Sequence, residues 1–321
     1  MSVVEGIGAL IEQLLGLLGF RPVESMVVVA VQGDEVSCVM RVDLADVLVA
    51  GDAAARLAEL AARNGADVVI AVFVSAEGAS CPMCEGQFID VAATLAEALK
   101  GHGVRLSDSV VVDRVEAGGR WHCVDRCGRS GVLKDPAAAM SAAAAVVAGR
   151  RMFGSRDELK GLVSRDGGRS AALAPLLARR GGIDSVAVAV RAAVAAMRAM
   201  AGGVVLSDDE LADVGATLAD VRVRDALFTL VDCSEAGAAE ALWAHLARVL
   251  PQPYRVEALA LTAFSAYARG DGPLAGVALE EALSEDSGHR FTGMLDAALQ
   301  GGLRPEQIRT LVAGQPSALT L

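Results

Sequence analysis

The chain has 321 residues, of which 53% are hydrophobic and only 3% aromatic, and it carries a formal net charge of −11. That length is enough for two domains of ordinary size, with a core built mainly from Ala, Val and Leu. The negative charge argues against a general nucleic-acid-binding protein, because phosphate contacts depend on clustered Lys and Arg.

The first half of the chain alternates between helix-like and strand-like segments. Apolar residues at helical spacing predict a helix over residues 3–18. The runs Met26–Val31 and Val36–Val42 predict a hairpin. The order of elements then predicts an α/β domain with a small mixed sheet over residues 1–133. The remaining elements of this domain are predicted at 46–63 (helix), 66–74 (strand), 86–100 (helix), 109–115 (strand) and 120–124 (strand).

The second half shows no further strand pattern, so residues 134–321 are predicted to form an all-α helical domain. Ser155 with Glu158, and Ser207 with Glu210, have the spacing of capping boxes. Small residues recur between 260 and 282, which favours a tetratricopeptide-like helix pair near the C-terminus. Helices are predicted at 136–149, 155–164, 171–179, 184–201, 208–219, 222–231, 235–249, 254–269, 273–284, 289–299 and 305–313.

One basic segment departs from the overall charge. Residues 150–180 hold eight Lys or Arg and three Asp or Glu, a local charge of +5 (8 − 3). A solvated helix and loop explains this segment, and the alternative is a surface for anions or phosphate.

The N-terminus has neither the basic region nor the cleavage site of a signal peptide, and no uncharged apolar run reaches 18 residues. We therefore expect a cytoplasmic protein without a membrane segment, in which thiols stay reduced.

Several short motifs occur in an order that resembles the domain-of-unknown-function 4192 family, which is found in actinobacteria and their phages. The resemblance covers about residues 15 to 315 and implies no established activity. It is carried by Leu17–Pro22 with Ser25, Arg41–Leu44, Arg120-Trp121 before cysteines and Gly131, Ser155–Leu159, Trp243, Arg248, Pro251, Pro253 and Gly270–Gly272.

The cysteines differ from that family's pattern. Relatives often have a Cys-Cys-Pro run after the Arg-Trp pair, whereas this chain has Cys123 and Cys127 there. The pair Cys81 and Cys84 is not associated with the family. A role for all four thiols would therefore be particular to this protein.

Cys81, Cys84, Cys123 and Cys127 are the predicted metal ligands, because two close pairs of thiolates suit a tetrahedral structural Zn²⁺ site. His122 could replace one thiol, although neighbouring residues of a strand point to opposite faces. Because 38 residues separate the two pairs, they can form one metal site only if both loops lie at the same end of the sheet.

Two other interpretations of the thiols stay open. Cys81 and Cys84 precede a predicted helix, and a thiol at a helix N-terminus is a better nucleophile, as in thioredoxin-like proteins. The proline that such a protein needs before a later strand is missing here. Alternatively the thiols are idle and pack as small hydrophobic groups, as Cys38 and Cys233 are expected to do.

No phosphate-binding loop, nucleophile elbow or zinc-protease motif occurs. Asp113, Arg120 and Asp125 lie near strand ends, where open α/β sheets bind ligands, and an Asp113–Arg120 ion pair explains two of them equally well. We therefore predict a non-enzymatic interaction or assembly protein with a structural zinc ion and a protein partner or self-association. The alternative is an enzyme with a metal-assisted or thiol-based site near Arg120–Cys127.

Overall fold

The computed structural model describes residues 6–49, 52–125, 127–314 and 317–320. The chain divides into two compact units, the first ending at Arg156 and the second beginning at Asp157. A helix after the predicted boundary at 133, α5 (Met140–Val147), lies in the first unit and packs on its first helix, α1 (Ile7–Leu18). The predicted domain limits stay a prediction.

In the described part of the chain, the first unit has a six-stranded mixed sheet. The strand order is β2–β1–β3–β4–β5–β6, in which β3 and β4 pair in parallel and the other neighbours pair antiparallel. The strands are β1 (Ser25–Gln32), β2 (Glu35–Asp43), β3 (Val68–Val74), β4 (Arg105–Val112), β5 (Arg120–Cys123) and β6 (Ser130–Val132).

Helices cover both faces of this sheet. On one face, α2 (Leu44–Val49), α3 (Ala53–Arg63) and α4 (Pro82–Gly101) enclose a core with the sheet residues that point towards them. Phe73 and Phe88 stack in this core with their ring centroids 4.7 Å apart. The opposite face carries Trp121, which lies beside α1. The continuous apolar run of β3 follows from this arrangement, because a strand covered on both faces needs apolar residues at every position.

The α/β class and the mixed sheet of the first unit, and the helical second unit, agree with the sequence prediction. Three details differ. The predicted helix 46–63 is two helices, α2 and α3, and residues 50–51 between them lie outside the described residues, as do residues 3–5. The predicted strand 109–115 begins and ends earlier, as β4, and β6 was not predicted.

Among its described residues, the regular secondary structure of the second unit consists of helices. The capping box at the start of α9 (Asp208–Thr217) is confirmed, since Glu210 N–H donates to Ser207 Oγ at 3.3 Å and Ser207 N–H donates to Glu210 Oε2 at 2.8 Å. The tetratricopeptide-like pair stays a prediction. The helices are α6 (Arg156–Lys160), α7 (Gly167–Leu177), α8 (Val186–Ala201), α9 (Asp208–Thr217), α10 (Val221–Phe228), α11 (Ala236–Val249), α12 (Tyr254–Ala268), α13 (Gly272–Glu285), α14 (Arg290–Gln300) and α15 (Pro305–Arg309).

Arg255 of α12 is the charged group at the centre of the second unit, and its side chain is fully buried. Its guanidinium donates to Ala247 O and to Val163 O, each at 2.7 Å. It also pairs with Glu281 at 3.1 Å and with Glu285. The buried charge is thereby bonded to carbonyls and carboxylates from three other segments.

Part of the basic segment 150–180 pairs with nearby carboxylates of the second unit. Arg169 pairs with Asp208 at 2.6 Å, and Arg180 pairs with Asp209 at 2.7 Å and with Asp213 at 2.8 Å. These contacts favour a solvated, ion-paired helical surface over an anion-binding one. None of the described helices has both the length and the apolar character that crossing a membrane requires.

Candidate functional site

The candidate site surrounds β5 and β6 at one edge of the sheet. In the pairing of β5 with β4, Trp121 lies opposite Val112, His122 opposite Val111, and Cys123 opposite Val110. Because side chains alternate along a strand, Trp121 and Cys123 occupy one face of the sheet and His122 the other. Val111 belongs to the core beneath α2, α3 and α4, so His122 is on the α4 side.

Two glycines make room for the indole of Trp121. A Cβ on Gly131 would stand 2.8 Å from Trp121 Nε1, and a Cβ on Gly8 would stand 3.0 Å from the same atom. A cavity of about 570 Å³ beside the indole is lined by Glu12, Arg129 and other residues of α1 and β6. The indole of Trp121 therefore packs against α1 and β6.

A group of metal-ligand type lies where β5 ends. The sulfur atoms of Cys123 and Cys127 and a carboxylate oxygen of Asp125 all lie within 4.8 Å of one another. Cys123 is buried, whereas Asp125 and Cys127 are exposed. Cys127 N–H donates to Asp125 Oδ1 at 3.1 Å, and Cys123 N–H donates to Arg129 O at 3.0 Å, so the segment folds back on itself.

Arg129 anchors this group to β4. Its Nε donates to Cys127 Sγ at 3.3 Å, and its other guanidinium nitrogen pairs with Asp108. Asp108 also accepts a hydrogen bond from Ser107 Oγ at 2.7 Å. The position of the Cys127 sulfur is therefore tied to the adjacent strand.

The three ligand-type groups differ in acidity. Burial, followed by a hydrogen bond with the Cys127 thiol, raises the pKa of Cys123 to about 11. Hydrogen bonds from the Cys127 thiol and backbone N–H lower the pKa of Asp125. At neutral pH Cys123 is consequently protonated and Asp125 ionised, and a metal ion would have to displace the Cys123 proton.

Cys81 and Cys84 form a second thiol pair, at the start of α4. Cys81 is the N-cap residue and Pro82 the first helical residue, and Cys81 makes no side-chain capping hydrogen bond. The nearby backbone N–H of Cys84, and then the Cys84 thiol, nevertheless lower the pKa of Cys81. The same thiol contact raises the pKa of Cys84.

The α4 side of β5 carries a second set of polar groups. His122 Nε2 lies 3.6 Å from Glu85 Oε1 in the first turn of α4. A cavity of about 520 Å³ is lined by His122, Arg120, Asp113 and neighbouring residues. Asp113 accepts a hydrogen bond from the backbone N–H of Arg120 at 2.8 Å and pairs with Arg114 at 2.8 Å. The carboxylate of Asp113 thus contacts the backbone of Arg120. The sequence had suggested an ion pair with the Arg120 side chain.

The structure brings two of the four predicted zinc ligands, Cys123 and Cys127, together with Asp125. Cys81 and Cys84 are not part of that group. The four-thiol zinc site stays a prediction. Sequence reasoning did not count Asp125 as a ligand, although its position two residues from each cysteine is the signal that indicates it.

A protein-family model described as Domain of unknown function (DUF4192) matches residues 8–306. No curated protein and no solved structure matches the chain.

Proposed function

The chain belongs to the domain-of-unknown-function 4192 family, and we propose that it is a non-enzymatic interaction protein with a structural Zn²⁺ ion at the edge of its sheet. In this proposal Cys123, Asp125 and Cys127 supply three of the ligands, and a structural role requires a fourth protein ligand to close the tetrahedron. The observation that carries it is the convergence of these three side chains within 4.8 Å.

The choice of Zn²⁺ follows from the ligand types. Thiolates select zinc over magnesium or calcium, which prefer oxygen ligands alone. With Zn–S of about 2.3 Å and Zn–O of about 2.0–2.2 Å, the ligand atoms of a tetrahedral site lie roughly 3.4–3.8 Å apart. The ligand atoms of Cys123, Asp125 and Cys127 lie within 4.8 Å of one another, so small side-chain rotations would bring them to these distances.

Such an ion would fix the edge of the sheet. It would link the end of β5 to the segment leading into β6, the last strand of the described sheet. The outer side of an edge strand offers unpaired backbone groups that another strand can bind. Val132 of β6 is 65% exposed, which suits contact with a partner or with a second copy of the chain.

Zinc binding tests the metal part of the proposal. We would titrate metal-free protein against a chromophoric zinc chelator and compare it with the variants Cys127→Ser, Cys81→Ser and Cys38→Ser. One zinc ion per chain is expected for the native protein and for the last two variants, with binding lost in Cys127→Ser. Loss of binding in Cys81→Ser as well would identify the four-thiol site instead, and no binding to the native protein would contradict both.

Light scattering tests the interaction part. Measured over a series of protein concentrations, the mass should rise with concentration when zinc is bound and rise less when it is removed. A protein that is strictly monomeric with and without zinc would contradict self-association.

The alternative enzyme function is favoured by one observation, the 520 Å³ cavity with His122 and Arg120 in its lining. It lies where the parallel strands β3 and β4 end, the usual ligand position in α/β sheets. An enzymatic metal would keep an open coordination position. Replacing zinc with Co²⁺ tests for such an open position. Azide that binds there changes the visible spectrum of the Co²⁺ protein, whereas the spectrum of a closed structural site does not change.

A further inference from the structure

We propose that Cys81 and Cys84 form a thiol–disulfide exchange site that accepts small disulfides and is reversibly oxidised to an intramolecular disulfide. This activity is separate from the metal group, because it uses neither Cys123 nor Cys127.

The backbone holds the two cysteines at bonding distance. Because α4 begins at Pro82, the two residues between the cysteines are helical, which sets the Cα atoms of Cys81 and Cys84 about 5 Å apart. Disulfides span Cα separations of roughly 4.4–6.8 Å, so the bond can form without backbone movement.

The surroundings of the pair admit a small substrate. Both cysteines are partly exposed, and Met83 between them is 79% exposed. A Cβ on Gly86, in the next turn of α4, would meet no atom within 4 Å. A small disulfide can therefore approach the sulfur atoms from solvent.

The two thiols have different roles. Cys81 lies at the positive end of the 20-residue helix α4, which favours its thiolate. The direction of its pKa agrees, since the Cys84 N–H and thiol lower it, whereas contact with Cys81 raises the pKa of Cys84. Cys81 is therefore the attacking thiol and Cys84 the resolving one.

The exchange proceeds in two balanced steps. The Cys81 thiolate attacks one sulfur of a disulfide R–S–S–R, forming Cys81–S–S–R and releasing RS⁻, which takes up a proton. Cys84, as its thiolate, then attacks the Cys81 sulfur, forming the Cys81–Cys84 bond and releasing the second RS⁻. The two cysteines lose two electrons and two protons in total, and the substrate is reduced to two RSH molecules.

Mass spectrometry of the protein with glutathione tests the proposal. Reduced, metal-free full-length protein is equilibrated in buffers of graded oxidised-to-reduced glutathione ratio, its free thiols are alkylated, and it is digested with trypsin. Cleavage after Arg63 and Lys100 gives a peptide of residues 64–100 whose only cysteines are Cys81 and Cys84. As the buffer becomes more oxidising, a growing fraction of this peptide should carry no alkyl group on either cysteine. Its mass should then be lower by two hydrogen atoms than that of the unalkylated dithiol peptide.

Variants separate this reaction from general oxidation. In Cys84→Ser the glutathione adduct should accumulate on Cys81, in Cys81→Ser residue 84 should stay alkylated, and Cys38→Ser should behave as native protein. Full alkylation of residues 64–100 at every ratio, or an adduct that forms equally on Cys84 in Cys81→Ser, would overturn the proposal. The proposal would also be overturned if added zinc prevented oxidation of Cys81 and Cys84 in the native protein but not in Cys123→Ser, since the two cysteines would then be metal ligands.

Discussion

The indole nitrogen of Trp121 lies 2.8 Å from the point that a Cβ on Gly131 would occupy. Strand β6 can therefore pass the indole only because residue 131 has no side chain. This contact lies within the β5–β6 hairpin, where Trp121 and Gly131 are cross-strand partners, on the face of the sheet that also carries Cys123.

Gly131→Ala should loosen that hairpin. The indole must move to admit the methyl group, and overpacking of this kind costs about 1–3 kcal/mol. Hydrogen–deuterium exchange of peptides covering β5 and β6 measures the effect, and we expect faster exchange there. The control is Gly86→Ala, where the added Cβ meets nothing within 4 Å and exchange of the hairpin should not change. Equal exchange in both variants would show that the close approach is relieved without cost.

Arg129→Met should weaken zinc binding without removing a ligand. Arg129 donates to Cys127 Sγ and pairs with Asp108, so its loss frees the Cys127 sulfur from β4. Loss of such a supporting contact typically reduces metal affinity about 10–100-fold. Competition with a chromophoric chelator measures the affinity. Arg114→Met serves as the control, since Arg114 pairs with Asp113 elsewhere on the sheet edge, and an equal loss in both variants would contradict a specific role for Arg129.

Arg255→Met should strongly destabilise the second unit. The substitution leaves Glu281, Glu285 and two carbonyl groups without their buried partner, which costs about 3–5 kcal/mol. Denaturant unfolding of a Trp121→Phe background measures this, because Trp243 of the second unit is then the only tryptophan.

The comparison for Arg255 is Arg198→Met. Arg198 and Glu235 form an ion pair at 2.8 Å whose side chains are 55% and 32% exposed, and such surface pairs contribute about 0–1 kcal/mol. Similar losses in the two variants would mean that the buried guanidinium has no special role in stability.

Glu240→Gln should change the pH dependence of stability. Burial, which outweighs the attraction of Arg269, raises the pKa of Glu240 to about 7 from the ordinary 4.5. The folded state then binds more protons than the unfolded state, so native stability falls as the pH rises from about 4.5 to 7. Above that range the cost is at most about 3 kcal/mol.

The Gln variant cannot ionise, so it should gain stability over the native protein at pH 8 and differ little from it at pH 5. Denaturant unfolding of the second unit at the two pH values, again followed by Trp243, provides the comparison. An equal difference at both pH values would show that Glu240 is not the titrating group.

The main elements followed from local patterns in the sequence. The apolar runs Met26–Val31 and Val36–Val42 flank the turn residues 32–35, and this arrangement predicts a hairpin. The continuous apolar run of β3 has the length of a strand and suits burial on both faces of the sheet. Strand β6 has only Ser-Gly-Val, too short for any period to be recognised. Its existence depends on pairing with β5, which is a tertiary contact.

The role of the four cysteines as metal ligands stays a prediction. In the structure Cys123 and Cys127 lie close together, and His122 lies on the opposite face of β5 from Cys123. Asp125 was missed as a candidate ligand because, in the sequence, its carboxylate resembles any exposed charge at a strand end, and only the fold of the segment brings it to Cys123 and Cys127. The partnership of Arg129 with Asp108 joins residues 21 positions apart and has no local signal.

The parallel pairing of β3 with β4 has a consequence for how the first unit folds. Among the described strands it joins two antiparallel halves, β2–β1–β3 and β4–β5–β6, and the chain between them passes through α4. A parallel pair cannot form as a hairpin, so its loop-closure entropy is paid before its contacts form. We therefore expect association of the two halves, with docking of α4, to be the slow step in assembly of the sheet.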